Sequence, residues 1–272
     1  MLPLKRITAA MLLAAALTLQ SLTANADVQL GLQSWTLRHL KFDQVVEFAV
    51  THGIKNLQLT AAHLDPNGAI QETQAKKAIL EKNGLKVYTF GVAGTSLDKE
   101  QNRKLFEFAK MMGIQLIVVE PGDFKIFDNL EELAKEYDIK VAIHNHGIRS
   151  MYGNPAVVKN VLKHRDKRIG VCMDAGWITA AGFDAAKIFR EYEGRVFDIH
   201  LKDKEVKPAL GETVSADTDI GKGNANLKGL AAELKKSNWN GVMAIETDGE
   251  QFALKPAPFV DGAKAWFDEN VK

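Results

Sequence analysis

Residues 140–147 read K-V-A-I-H-N-H-G. Three apolar residues, Val141, Ala142 and Ile143, run directly into His144, Asn145 and His146, and Gly147 ends the run. An apolar stretch this short fits a buried strand. Metal-capable and proton-carrying side chains clustered at its C-terminal end are what the mouth of a parallel β/α barrel displays. One such strand is weak evidence, so the test is whether others in the chain end the same way.

They do, in both directions. Toward the N-terminus, Leu116–Val119 stops at Glu120-Pro121-Gly122, Lys86–Phe90 and Lys55–Leu59 are further short strands, and Val28–Ser34 leads into Trp35-Thr36-Leu37-Arg38. Toward the C-terminus, Ile169–Met173 ends at Asp174, Val196–Ile199 at His200 and Val242–Ile245 at Glu246. Helical stretches separate them. Asp43 is expected to cap a helix carrying Val45, Val46, Phe48 and Ala49, which Gly53 stops. A second helix covers roughly Ala69–Asn83 before Gly84, and a third runs from Asp98 to Met112 before Gly113. Asn129 is expected to cap Leu130–Tyr137, and Asn154-Pro155 places an N-cap before a first-turn proline. Asp184 starts a helix to about Tyr192, Leu227–Ser237 forms another, and a last one closes near Val271. The stretch from Leu201 to Asn226 is expected to be a long loop, either a lid over the mouth or a solvated excursion.

Strands alternating with helices imply a parallel sheet, and eight such units imply closure into a (β/α)8 TIM barrel, a single domain spanning 27–272. A doubly wound open sheet is the competing architecture, but no G-x-G-x-x-G follows the first strand, and Gly221-Lys222-Gly223 is a turn.

Residues 1–26 stand apart. Lys5 and Arg6 precede an almost unbroken apolar run, Ile7–Leu19, and Ala24-Asn25-Ala26 offers an A-x-A cleavage site before Asp27. This is the pattern of a secretory signal peptide, with an apolar segment short for a membrane span. The expectation is a periplasmic or secreted protein with no membrane attachment after cleavage. A barrel of this type typically needs about 250 residues, which the remainder supplies. A net charge of +1 speaks against a nucleic-acid surface, and a single cysteine, Cys172 in an apolar run, excludes an internal disulfide and reads as a small buried hydrophobe. A homo-oligomer is compatible with these features.

In such a barrel the strand ends meet around one mouth. Glu120, His144, Asp174, His200 and Glu246 end five consecutive strands, and Arg38, His63, His146, Trp177, Lys202 and Asp203 follow strands by a few residues. Singly, a strand-end histidine or carboxylate is more often structural than functional. Together they would be costly to bury unless a cation held them. Mixed carboxylate and imidazole donors suit a divalent metal ion such as Mn2+, Co2+, Zn2+ or Mg2+. Trp35 and Trp177, and less clearly Phe124, are candidates to stack on a sugar ring; rim packing is the bland alternative.

The order and spacing of V-A-I-H-N-H-G (141–147), I-G-V-C-M-D-A-G (169–176), D-I-H-L-K-D (198–203) and G-V-M-A-I-E (241–246) resemble the sugar phosphate isomerase/epimerase family, the xylose isomerase-like or AP endonuclease type 2 superfamily. By that resemblance Asp174, His200 and Glu246 match three metal ligands. The fourth is usually a glutamate at the end of the fifth strand, where this chain has His144. The H-N-H variant occurs in a sub-branch of the family. It changes the chemistry, because the family's ketose epimerases pass protons between two glutamates on opposite faces of the substrate. Here His144 serves as ligand or base, and Glu120 is a candidate for the missing carboxylate.

The resemblance implies proton removal beside a carbonyl by Glu246 or His144, with Lys202 holding the enediolate, and His146, Trp177, Arg38, His63 and Trp35 contacting a sugar or glycoside. The leading expectation is an isomerase or epimerase acting on an unphosphorylated sugar, since an exported enzyme does not meet cytoplasmic sugar phosphates and Thr247-Asp248-Gly249-Glu250 is acidic where a phosphate cradle would stand. A 3-keto-glycoside lyase, which needs one principal base, is the alternative, and a non-catalytic periplasmic sugar-binding protein is a further one. The superfamily's DNA-repair nucleases need a larger metal cluster and fit neither the export signal nor the neutral charge.

Overall fold

The computed structural model describes residues 27–192, 194–209 and 212–272, so the expected signal peptide lies outside the described residues. Eight parallel strands close a barrel: β1 (Val28–Gln33), β2 (Asn56–Leu59), β3 (Lys86–Ala93), β4 (Leu116–Val119), β5 (Lys140–His144), β6 (Ile169–Asp174), β7 (Val196–Leu201) and, after a hairpin of β8 (Asp203–Ala209) and β9 (Glu212–Thr218), β10 (Gly241–Ile245). Each strand pairs with its successor, and β10 pairs with β1 to close the ring. The helices between them are α1 (Phe42–Thr51), α2 (Ile70–Lys82), α3 (Lys99–Met112), α4 (Ile126–Tyr137), α5 (Pro155–Leu162), α6 (Ala175–Ala180), α7 (Ala185–Glu191), α8 (Leu227–Lys236), α9 (Glu250–Leu254) and α10 (Pro256–Asn270). Among the described residues no helix is long and apolar enough to cross a membrane.

Strand alternation divides the core in two. Ile117, Val119, Val141 and Ile143 point outward into one large cluster with the helices, whereas Leu116, Val118, Ala142 and Cys172 form a separate small cluster in the barrel lumen. Two residues further along the inward-facing rows come Glu120, His144 and Asp174. Because the side-chain period of a strand is two, an apolar lumen and a polar mouth are successive layers of the same inward face. Cys172 is fully buried there.

Helix ends follow the sequence in most places. Asp98 accepts from the Glu100 N–H at 3.0 Å, and α3 ends at Gly113 with φ 77°. Asn154 caps α5 before Pro155 as expected. Three expectations are corrected. Lys41, not Asp43, occupies the N-cap of α1, where the Gln44 side chain accepts the Lys41 N–H at 2.9 Å. Asn129 lies inside α4, and its amide bridges to Asn102 and the Ser96 carbonyl instead of capping. The expected long loop contains the antiparallel hairpin, paired from Asp203↔Thr218 to Ala209↔Glu212.

One carboxylate fixes the root of that hairpin. Asp203, almost fully buried, accepts backbone N–H groups from Lys204, Gly221, Gly223 and Ala225, all at 2.9–3.0 Å. Asp203→Ala would strand several buried donors and is expected to cost about 2–4 kcal/mol. That corresponds to a fall in Tm of roughly 5–15 °C, read by calorimetry. Asp203→Asn, which keeps acceptor capacity, should lose clearly less.

Candidate active site

The inward rows of β4 to β7 and β10 converge at the mouth. His144 donates from Nδ1 to Glu120 Oε1 at 3.0 Å, and His146 Nδ1 lies 2.6 Å from the same oxygen. The two rings meet edge to face, 4.6 Å between centroids. Across the barrel, His144 Nε2 faces His200 Nδ1 at 3.2 Å, and His200 Nε2 donates to Gln58 Oε1 at 2.7 Å. Asp174 Oδ2 is 3.6 Å from His200 Nδ1 and 3.7 Å from His144 Nε2, and Glu246 Oε2 is 4.0 Å from His200 Nδ1.

Asp174 is held rigidly. Its Oδ1 accepts the Trp177 N–H at 2.8 Å, which caps α6, while the Asn145 side chain bonds its backbone N–H and C=O. Asn145 is therefore a positioning residue between the two histidines of the H-N-H motif. Lys202, fully buried, reaches Asp174 Oδ2 at 3.1 Å and Asp248 Oδ2 at 2.6 Å, and touches Glu246 Oε2. Gly176 makes room for it: a Cβ there would lie 2.6 Å from Lys202 Cγ.

Burial disfavours every one of these charges, and their neighbours decide the outcome. Burial works against charge on His144, but Asp174 and Glu120 outweigh it and raise its pKa to about 9. Burial lowers His200 to about 4, with the repulsion of His144 and Lys202 adding to it. Glu120 resists burial through its two histidine partners and falls to about 2. Burial pushes the Glu246 carboxyl upward, and the nearby Asp248 and Asp174 carboxylates add to that push against the pull of Lys202. Lys202 stays charged despite burial because three carboxylates surround it.

A divalent ion fits this donor set. With His144 donating outward to Glu120 and His200 outward to Gln58, their inner nitrogens present lone pairs to each other across 3.2 Å. A cation, either a proton on His144 or a metal ion, stabilises that arrangement. Asp174 Oδ2 and Glu246 Oε2 are buried at the same centre and share the single ammonium of Lys202. His144, Asp174 and His200 form one group able to hold a metal, and Glu120, His144 and His146 another.

The mouth cavity, about 370 Å3, is lined by His144, His146, His200, Lys202 and Glu246 together with Trp35, Gln33, Val92 and Asp248. Trp35 and Trp177 both donate their indole N–H to Asp248, at 3.2 and 3.0 Å. Other expected contacts are engaged elsewhere. Arg38 binds the carbonyls of Trp35, Thr247 and Asp248 and the Glu250 carboxylate, bracing the loops after β1 and β10. His63 is buried with both ring nitrogens occupied, by Ser34 Oγ and Leu40 O at 3.0 Å each. Neither lines the mouth cavity. Phe124 packs edge-on against Tyr152 outside it. In the sequence Asp248 stands out only as part of the acidic stretch 247–250, not as a site residue, and Gln58 is not singled out. Asp248 lies two residues past a strand-end glutamate on the same inward row, which is a usable signal; a glutamine inside a four-residue strand carries none.

A closed β/α barrel with histidines and carboxylates gathered at the C-terminal mouth defines a class of metal-capable barrel enzymes. Residues 42–270 match the model of the xylose isomerase-like TIM barrel family, and the chain belongs to that family and is an enzyme. It is 23% identical to an inosose dehydratase of Clostridium perfringens, over 91% of this chain and 99% of the relative. Against an inosose dehydratase of Lacticaseibacillus casei it is 20% identical, over 86% and 91%. Among solved structures, an uncharacterised protein of Parabacteroides distasonis is 27% identical with a TM-score of 0.69, covering 90% of this chain and 99% of that one. The probable 3-DHS dehydratase of Bacillus anthracis is 14% identical, TM-score 0.69, over 89% and 100%. An IOLI protein with a bound zinc atom is 13% identical, TM-score 0.70, over 89% and 98%.

With the His144 pKa at about 9, a metal ion entering at neutral pH must displace a proton. Because the raised Glu246 carboxyl also gives up its proton, apparent Mn2+ affinity is expected to rise by at least about tenfold per pH unit from pH 6 to 8, with between about one and about two protons released per ion. Calorimetric titration in buffers of different ionisation enthalpy measures both. A pH-independent affinity would show that His144 is not displaced.

Proposed function

We propose that this enzyme is a metal-dependent lyase that removes a proton beside the carbonyl of an unphosphorylated keto-sugar and expels the substituent β to that carbonyl. The carrying observation is how the two candidate acid–base positions are committed: His144 stands at the end of β5 tied to Glu120, and the Glu246 carboxylate is tied to Lys202. Epimerisation by paired glutamates needs a carboxylate on each face of the substrate, whereas elimination needs one base and a route for the leaving group. The curated relatives described above are dehydratases by name, which adds support.

Asp174, His200, Glu246 and His144 would hold the metal, with Glu120 orienting His144; when bound, the metal supplies Lewis-acid polarisation of the carbonyl. Glu246, with its carboxyl pushed upward, takes the C–H proton. Lys202 lies beside Glu246 and Asp174 and balances negative charge developing on the substrate oxygen. His146, oriented by Glu120 at Nδ1, lines the mouth beside the path of the departing oxygen. Trp35 and Asp248 wall the sugar ring. The basic-apolar leader with its A-x-A site supports export, and export supports a substrate without phosphate.

The test is incubation of the Mn2+-loaded protein with methyl 3-keto-glucoside and with free ketoses in D2O, followed by NMR. Release of methanol with formation of an unsaturated keto-sugar is expected. Deuterium at C2 without release would instead make the enzyme an isomerase or epimerase, and no exchange in any substrate would remove the proton-abstraction chemistry altogether. Lys202→Met is expected to lower kcat by about 10²–10³, the usual loss for one preorganised electrostatic contact in an active site.

A further inference from the structure

Beside the mouth cavity lies a second, larger one of about 510 Å3. Its walls are Ile148 and Arg149 from the loop after β5, Trp177, Ala180 and Ala181 from α6 and the residue following it, and Ser215 from β9. His146 lines both cavities. We propose that this groove receives the aglycone of a glycoside substrate, an aromatic or otherwise apolar group, while the keto-sugar ring occupies the mouth; the assignment of the ring rests on the lyase reading above.

Size separates the two spaces. At about 370 Å3 the mouth cavity is near the lower end of ligand pockets, enough for one sugar ring, and the groove adds a separate volume in the middle of that range. Lining separates them as well. The mouth is floored by imidazoles, carboxylates and an ammonium, whereas no carboxylate lines the groove, where Ile148, Trp177, Ala180 and Ala181 supply apolar walls beside Arg149, Ser150 and Ser215. An aromatic or aliphatic group gains from burial against those apolar walls.

Trp177 is a preformed wall. Its indole N–H is held by Asp248 at 3.0 Å, and the Lys204 ammonium sits 3.8 Å from the ring centroid. The ring also lies so close to the preceding loop that a Cβ on Gly147 would meet it at 3.1 Å. An aromatic surface fixed this way loses little freedom when a ligand packs on it. Ile148, which lines the groove beside it, is 53% exposed.

The chemistry gives the groove its place. When the C2–H bond breaks, the proton goes to the protein base and the electron pair forms the C1=C2 double bond. The C1–O bond breaks with its pair passing to the aglycone oxygen, which takes up the proton that the base removed from C2 and leaves as the alcohol; nothing is oxidised or reduced. The leaving group must therefore lie beside the ring, and the groove, which shares His146 with the mouth, is the neighbouring space assigned to it.

Two measurements test this. Calorimetry compares binding of methyl and 2-naphthyl β-glucosides, unoxidised and therefore not turned over, and kinetics compares kcat/KM for their 3-keto forms. The naphthyl compound is expected to be favoured at least about tenfold in both, within the range hydrophobic pockets deliver. Ala181→Trp and Ser215→Trp, which fill the groove from opposite walls, should each bring the naphthyl-to-methyl ratio close to one; Ser215 stands on a partly exposed hairpin strand, where the fold tolerates the change. Equal binding of the two glucosides, or a naphthyl preference that survives both substitutions, overturns the groove assignment. A naphthyl binding preference without turnover of either keto-glucoside overturns the lyase reading and leaves the groove standing.

Discussion

Charge balance in a dry barrel mouth is the constraint on which the rest of the site depends. Lys202 carries a full charge into a place where it is about 1% exposed, among Asp174, Glu246 and Asp248. An ion buried without partners is expensive, and removing one member of such a cluster leaves the others uncompensated. With all three carboxylates ionised, one ammonium leaves an excess of negative charge at the centre. The charge on His144 offsets part of it, which is why that imidazole is raised while its neighbour His200 is lowered. Two histidines 3.2 Å apart thus take opposite roles, one sharing its outer nitrogen with a carboxylate and the other with an amide.

The fold was legible because its signals are local. A strand of four or five apolar residues followed by a polar end, repeated with a helix between, needs no knowledge of what lies across the barrel, and Gly113 or Asn154-Pro155 marks its boundary within one turn. The convergence of Glu120, His144, Asp174, His200 and Glu246 on one mouth was legible for the same reason: strand ends of a parallel barrel share one face, and alternation fixes which residues point inward. What each of those residues does chemically is a separate matter, set by donors, distances and burial.

Where the sequence misled, the deciding partner was distant. Arg38 and His63 stand a few residues past strands, as contact residues would, yet Arg38 is captured by carbonyls more than two hundred positions away and His63 by Ser34 and Leu40. The hairpin was hidden because its strands are rich in charge, and its pairing joins Asp203 to Thr218 without an apolar face long enough to show alternation. Asn129 looked like a cap because asparagine favours that position, but its amide finds Asn102 and Ser96 on neighbouring segments. Each is a case of tertiary hydrogen bonding outweighing a local preference.

The hairpin also changes what kind of device covers the mouth. A loop between Leu201 and Asn226 invited the idea of a lid. Its base is instead pinned at two ends, by Asp203 gathering four backbone N–H groups and by Asp217, whose carboxylate accepts from Thr247 Oγ1 and the Asp248 and Gly249 N–H groups. Lys204, paired with Asp217, extends that anchorage to the face of Trp177. The base of the hairpin, the loop after β10 and the aromatic wall of the groove therefore form one hydrogen-bonded unit, so a displacement of any part would break bonds in all three.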